Sequence, residues 1–312
     1  MIPLKGRDIM ISFHRLKLSQ KDEYNRILFS CPPRGCEYSF ANLHLWGRQQ
    51  AAFLHGCVAF FSHFYGRSVY PYPIGNGDRR AVIEEILADA KERGIPCRIT
   101  NMRDADRAEL EEWFPETFIY RTVRDGFDYV YAIDDLADLK GRKFQKKRNH
   151  LNRFRAEHPN YTIEPLSACN MARAQHMVND WYLNRFKEDP QGDYLLENIA
   201  IARAFQNFGE LGMEGILLLD GPQVLAVTMA SRLTEDTFDV HFEKAREDVD
   251  GAYAAINSEF ARYLRLKYPE VKFLDREDDM GLEGLRKAKL SYNPSHLVEK
   301  HWAYLAEDIH GD

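Results

Sequence analysis

Long apolar runs are missing from this 312-residue chain. The most apolar stretches, CVAFF at 57–61 and GILLL at 215–219, fall far short of the about 20 residues a membrane-spanning helix needs. Near the N-terminus Arg7, Asp8, His14 and Arg15 interrupt the unbroken apolar stretch that a secretory leader requires. Cysteine is scarce: Cys31, Cys36, Cys57, Cys97 and Cys169 are odd in number and irregular in spacing. Cys31 and Cys36 are too far apart for CxxC and have no second pair downstream, so no metal is expected. Reduced thiols in a cytoplasmic protein are expected instead. GxSxG and HExxH are absent, which removes the common serine-nucleophile and zincin mechanisms and favours direct transfer without a covalent enzyme intermediate. Low-complexity tracts and sequence repeats are absent too. Charge of one sign is also lacking: 42 Lys+Arg stand against 48 Asp+Glu, a formal net charge of −6. A surface that coats nucleic acid is therefore excluded, while one local basic site is not.

What is present is an ordinary globular composition, 45% hydrophobic and 29% charged. The length suggests two domains. A polar helix is expected at SQKDEYNRILFSC, followed by strands in NLHLWGRQQAAFLHG, CVAFFSHFYG and SVYPYPI. AVIEEILADAKERG repeats its apolar positions at helical spacing and ends on Gly94, a natural C-cap. PCRITNM, a helix around 104–113 and the aromatic strand FDYVYAI complete the first half. The second half repeats the order. TIEPL leads into one or two helices between 169 and 208, then EGILLLD and QVLAVTMA form a hairpin across Asp220, Gly221 and Pro222. TFDVHFE alternates Phe238, Val240 and Phe242 against polar neighbours. A helix from about Gly251 to Tyr268 then leads to VKFLDR, a strand expected to lie parallel to TFDVHFE.

Strand, strand, strand, helix, strand, read twice, is the order of the GNAT (general N-acetyltransferase-like) acyltransferase core. We therefore expect an α+β chain of two tandem GNAT-like mixed-sheet domains, 1–158 and 159–312. The first would end in a basic linker helix and the second would carry the cleft. Four stretches add to this: EYSFANLHLW at 37–46, YPYPIGNGD at 70–78, LKGRKFQKKRNHLNRF at 139–154 and FLDREDDMGLEGLRKAKLSYNPSHLVEK at 273–300. Together they resemble the C-terminal catalytic domain family of phosphatidylglycerol lysyltransferase, relatives of the Fem-type peptidyltransferases. The resemblance implies a tandem GNAT fold, an aminoacyl-tRNA donor and a lipid headgroup acceptor. The multi-span membrane region that usually precedes that domain is not in this sequence.

Read physically, the same stretches supply candidates. From Lys140 to Arg155 there are eight Lys/Arg and no acid. On a helix, Phe144, Leu151 and Phe154 share an apolar stripe, with Lys143 and Lys147 along one edge. Lys143, Lys147 and Arg148 could track the phosphates of tRNA or CoA, or rest on anionic lipid; the run also reads as a solvated face. GNGD at 75–78 could bring backbone N–H groups to a phosphate, or simply cap a helix at Asp78. In the second half the equivalent corner is Asp250-Gly251-Ala252, a candidate donor site with a single glycine left. DREDD at 275–279 fails the calcium-loop template, since Met280 stands where glycine is required. Glu243, or an acid of the 275–279 loop (Asp278, with Asp275, Glu277 and Asp279 beside it), could orient the acceptor or take its proton; the loop also reads as a solvated acidic helix cap. Arg286 and Lys289 could bind donor phosphate or an oxyanion, and Tyr292 could act as a general acid.

The expected activity is transfer of an acyl or aminoacyl group from aminoacyl-tRNA or acyl-CoA to an amine or hydroxyl, with no tightly bound cofactor. The alternative is a non-catalytic GNAT-like protein that binds RNA or anionic lipid through its basic helix.

Overall fold

Alternation along the strand Thr237–Ala245 sorts two chemistries onto two faces. Phe238 and Val240 are buried in an apolar core, while Asp239 and His241 lie on the opposite face. The pairing with Gln223–Arg232 shifts register at His241, and beyond this bulge Glu243 turns to the side of the helix Ala252–Lys267, where Asn257 approaches it. The structure, a computed structural model, describes residues 10–32, 34–64, 66–190 and 194–311. Arg7 and Asp8 lie outside these residues, as does the connection at 191–193 within the expected 169–208 helical region. Among the described residues no helix is long and apolar enough to cross a membrane.

The chain forms two compact units, one of residues 1–33, 47–124 and 299–312 and one of 34–46 and 125–298. The expected boundary at 158 coincides with the edge of neither. Each unit is built on a mixed sheet flanked by helices, the GNAT-like arrangement. In the first unit the strands run in the order Gln49–Leu54, Cys57–Phe64, Arg67–Pro71, Arg98–Met102, His301–Leu305, Phe118–Thr122, with Ile74–Gly75 beside Cys57–Phe64. Arg67–Pro71 and Arg98–Met102 are parallel, joined by the helix Arg79–Arg93. That helix buries Val82, Ile83, Ile86 and Ala90 in the same core as Tyr70, Tyr72 and Ile99. Gly94 ends it at φ 65, as its place in the sequence suggests.

In the second unit the order is His296–Val298, Asp128–Ala132, Phe273–Asp275, Thr237–Ala245, Gln223–Arg232, Glu214–Asp220, Thr162–Pro165. FDYVYAI, expected to complete the first half, thus pairs in the second sheet, and His301–Leu305, which no pattern announced, pairs in the first. A strand needs an edge with unpaired N–H and C=O groups, and nearness in sequence does not choose that edge. NLHLW is a second correction. Its Leu43 and Leu45 mimic strand alternation, yet Phe40–Trp46 is helical. Within this unit the Arg203 guanidinium donates to Leu45 O at 2.8 Å at that helix's end.

Thr237–Ala245 and Phe273–Asp275 are parallel, as expected, and pair only over Thr237–Asp239. The helix Ala252–Lys267 makes the crossover, burying Ala252, Ile256, Phe260 and Leu264 along one stripe. Among the described residues the parallel pairing ends at Asp239, and His241 and Glu243 lie beyond it on the long strand.

Candidate functional site

Glu243 projects from the strand where it has parted from its neighbour. Arg276, the first residue after Phe273–Asp275, donates from Nη2 to Glu243 Oε1 at 2.8 Å. Both side chains are largely buried. Asn257, on the crossover helix, approaches Glu243 Oε2 at 3.4 Å. The Arg276 guanidinium lies 5.1 Å from the centre of the Tyr292 ring, and the Lys147 ammonium 3.9 Å from the same centre. Two cations share one aromatic ring, which offers each a negative π face in place of water. Burial, with Arg276 second, lowers the Lys147 pKa to about 8, while Glu243 opposes the fall. Burial pushes the Tyr292 phenol up to about 12, so it keeps its proton at neutral pH. Of the residues picked out in the sequence, the structure therefore assembles Glu243, Lys147 and Tyr292 around Arg276.

Before the bulge, on the other side of the same strand, is a nest of buried carboxylates reached through the loop residue Glu277, next to Arg276. Asp128, Asp239 and Asp275 are fully buried. Ser39 Oγ donates to Asp239 Oδ2 at 2.9 Å, and Asn42 Nδ2 to Glu277 Oε1 at 3.3 Å. His241 Nε2 meets Ser231 Oγ at 2.8 Å. Its Nδ1 lies 3.3 Å from Asp239 Oδ2 and 3.4 Å from Glu277 Oε1. Desolvation, then the charges of Glu277 and Asp275, raise the Asp239 pKa well above the usual carboxylate range. Ser231, His241 and Asp239 follow the order of a nucleophile triad, but Ser231 is only 3% exposed and is sealed from any substrate. Glu277 holds a left-handed backbone at φ 58, unusual for a residue with a side chain.

The other expected site residues are engaged in holding the fold. Lys289, expected to meet an oxyanion, donates instead to the backbone carbonyls of Arg276, Glu277 and Asp278. Its three protons pin the loop that carries Arg276, leaving none for an oxyanion. Asp278 accepts from Met280 N at 3.1 Å through its carboxylate, and its backbone carbonyl accepts from Lys289. Arg286 binds Asp279 at 2.8 Å through Nε and Asp125 at 2.6 Å through Nη2, so its charge is already matched.

Part of the basic run is likewise engaged within the fold. Its helix begins at Gln145 and buries Phe144, Leu151 and Phe154 as expected. Lys143 pairs with Asp135 at 2.8 Å, Arg148 donates to the carbonyls of Leu139 and Gly141, and Arg153 pairs with Asp250. The acids that match this run come from other parts of the chain, where a local count does not see them. At the helix corner, a Cβ on Gly251 would sit 2.4 Å from His150 O, and the Ala252 N–H already bonds Val249 O at 3.3 Å. The glycine there admits a neighbouring helix, not a pyrophosphate. In GNGD, a Cβ on Gly77 would sit 2.0 Å from His55 O, and Asp78 caps the helix through Ala81 N at 3.0 Å.

Arg276, Asn257, Asp239, His241 and Ser39 were not singled out in the sequence. Asp239 and His241 carried one signal: polar residues alternate on TFDVHFE across from its apolar ones, and buried polar alternation marks a lined cleft. Arg276 carried none, because its partner stands 33 residues earlier. A groove of about 1010 Å³ opens elsewhere in this unit, along the helix Met171–Glu188, with Arg173, His176, Asp180, Lys187, Arg246 and Asp248 in its walls. Its charges alternate in sign, so it offers a polyphosphate no uniform field.

Known proteins extend these observations. A conserved protein of unknown function from Bacteroides thetaiotaomicron has a solved structure 36% identical to this chain, covering 95% of this chain and all of that one, with a TM-score of 0.89. The structure of L-PGS from Bacillus licheniformis shares the fold at 14% identity, with 91% of each chain covered and a TM-score of 0.65. The uncharacterized protein MYCGA3080 of Mycoplasmoides gallisepticum is 23% identical over 194 residues, which span 61% of this chain and 60% of that protein's length. Residues 29–304 match the family described as phosphatidylglycerol lysyltransferase, C-terminal, and the chain belongs to that family.

Proposed function

We propose that the chain is an acyl- or aminoacyltransferase that works in the cleft of Glu243, Arg276, Lys147 and Tyr292. The observation that carries this reading is the Glu243–Arg276 pair set beside a lysine held near neutrality, where the two parallel strands part. An amine or hydroxyl acceptor attacks the donor carbonyl, and Glu243 takes its proton. Negative charge develops on the carbonyl oxygen, and the Arg276 and Lys147 cations stabilise it. Tyr292 returns a proton to the leaving group. No covalent enzyme intermediate is required.

Two observations favour an aminoacyl-tRNA over an acyl-CoA donor. The family description names a lysyl transfer. The corner at Gly251, where a GNAT core would cradle pyrophosphate, is filled by the His150 carbonyl. The non-catalytic alternative rests on a basic face, of which Lys143 and Arg153 are paired with Asp135 and Asp250.

Single-turnover transfer from a panel of aminoacyl-tRNAs and acyl-CoAs, wild type against Glu243→Gln, tests the reading. Transfer that falls about 10²–10³-fold in the variant supports it. No transfer by the wild type from any donor would move the assignment to the binding protein.

A further inference from the structure

The nest next to the cleft contains polar atoms that the fold leaves without hydrogen bonds. Asp239 Oδ1 and His241 Nδ1 are both fully buried and make none. His241 Nδ1 faces two carboxylate oxygens, Asp239 Oδ2 at 3.3 Å and Glu277 Oε1 at 3.4 Å. A buried polar atom without a hydrogen bond is costly, and an uncompensated buried carboxylate more so. We propose that Asp239, His241 and Glu277 hold a first-row divalent metal ion such as Zn²⁺, Mn²⁺ or Fe²⁺. Nothing in the sequence pattern led to this site; the sequence expectation was no metal.

Three features of the geometry support the assignment. One ligand atom from each of the three residues lies within 4.8 Å of the others. The separations of 3.3 and 3.4 Å are those expected when bonds of about 2.0–2.1 Å meet at a tetrahedral centre. An imidazole between two carboxylates suits a transition metal, whereas Mg²⁺ and Ca²⁺ take oxygen ligands. The surroundings orient the ligands. Ser231 Oγ lies 2.8 Å from His241 Nε2, so with Nε2 protonated the Nδ1 lone pair points at the ion. Ser39 and Asn42 donate to the Asp239 and Glu277 carboxylates. An ion here offsets the charge of the carboxylates and anchors Glu277, the neighbour of Arg276, so it would fix the loop that positions the cleft.

The test needs no acyl donor. The purified full chain is stripped with a chelator, dialysed and titrated with Zn²⁺ and, separately, with Co²⁺, whose visible absorption reports tetrahedral or distorted ligand fields. One equivalent of each is expected, with a rise in melting temperature. Glu277→Gln removes a carboxylate ligand whose side chain is 22% exposed and keeps its size and shape. It should abolish stoichiometric binding. Ser231→Ala, which touches no ligand oxygen, should weaken binding about 10–100-fold. Circular dichroism confirms that each variant is folded. Absence of stoichiometric binding by the folded wild type would overturn the proposal. So would binding left unchanged by both variants, which would place the ion elsewhere.

Discussion

The Arg276 guanidinium and the Glu243 carboxylate meet at 2.8 Å with only 17% and 8% of their side chains exposed. A pair this buried is expensive to break from one side, because the remaining charge stays desolvated. We expect Arg276→Met and Glu243→Leu each to lower stability by about 3–5 kcal/mol, since each strands the charge of the other. The double variant Arg276→Met/Glu243→Leu should recover part of the loss. Urea unfolding of the two singles and the double measures the coupling. Strict additivity would mean the pair is not the unit described.

Lys147 supplies a pH dependence. Its folded pKa, about 8, lies below the ordinary lysine value of 10.5. Between those two values the unfolded chain holds more protons than the folded one, so stability rises with pH across that window. Below the window, protonated Lys147 disfavours the folded state by a constant amount. We expect Lys147→Met to be more stable than wild type at pH 7 and the difference to shrink as pH passes 8. Denaturation midpoints of both proteins across this range check the sign.

Lys289 is expected to act through the loop and not on substrate. Its ammonium holds the carbonyls of Arg276, Glu277 and Asp278. Lys289→Met leaves those carbonyls without their charged donor and should cost at least about 2 kcal/mol. Thermal unfolding reads this directly. An unchanged melting temperature with lost transfer would return Lys289 to a chemical role.

Gly251 combines a left-handed φ of 77 with a Cβ position 2.4 Å from His150 O. Gly251→Ala therefore adds backbone strain of about 1–3 kcal/mol and a clash with a backbone oxygen. The control is Gly94→Ala, whose φ of 65 is also left-handed but where nothing lies within 4 Å of the added atom. The Gly251 variant should lose clearly more stability in the same unfolding experiment.

The sequence by itself determined the local elements and the order in which they follow one another. Hydrophobic periodicity placed the crossover helix Ala252–Lys267 and the buried stripe Phe144, Leu151, Phe154, because periodic burial is written in consecutive residues. Alternation fixed the sides of Phe238, Asp239 and Val240, but not the bulge at His241 that turns Glu243 to the crossover helix. The sequence also brought forward Glu243 and Tyr292 as residues of an expected cleft, and Lys147 as part of the basic helix. Tertiary structure decided what each charge does. Lys143, Arg148, Asp250, Arg286 and Lys289 carry the charge of ligand-binding residues, and each is satisfied by partners the pattern did not reveal. Strand exchange was also beyond the sequence: Asp128–Ala132 and His301–Leu305 pair on both sides within sheets other than those their neighbours in sequence suggest. Pairing partners, and with them Arg276 and the carboxylate nest, depend on contacts between residues tens to hundreds of positions apart. Such contacts leave no spacing in a single sequence, and only the folded chain closes them.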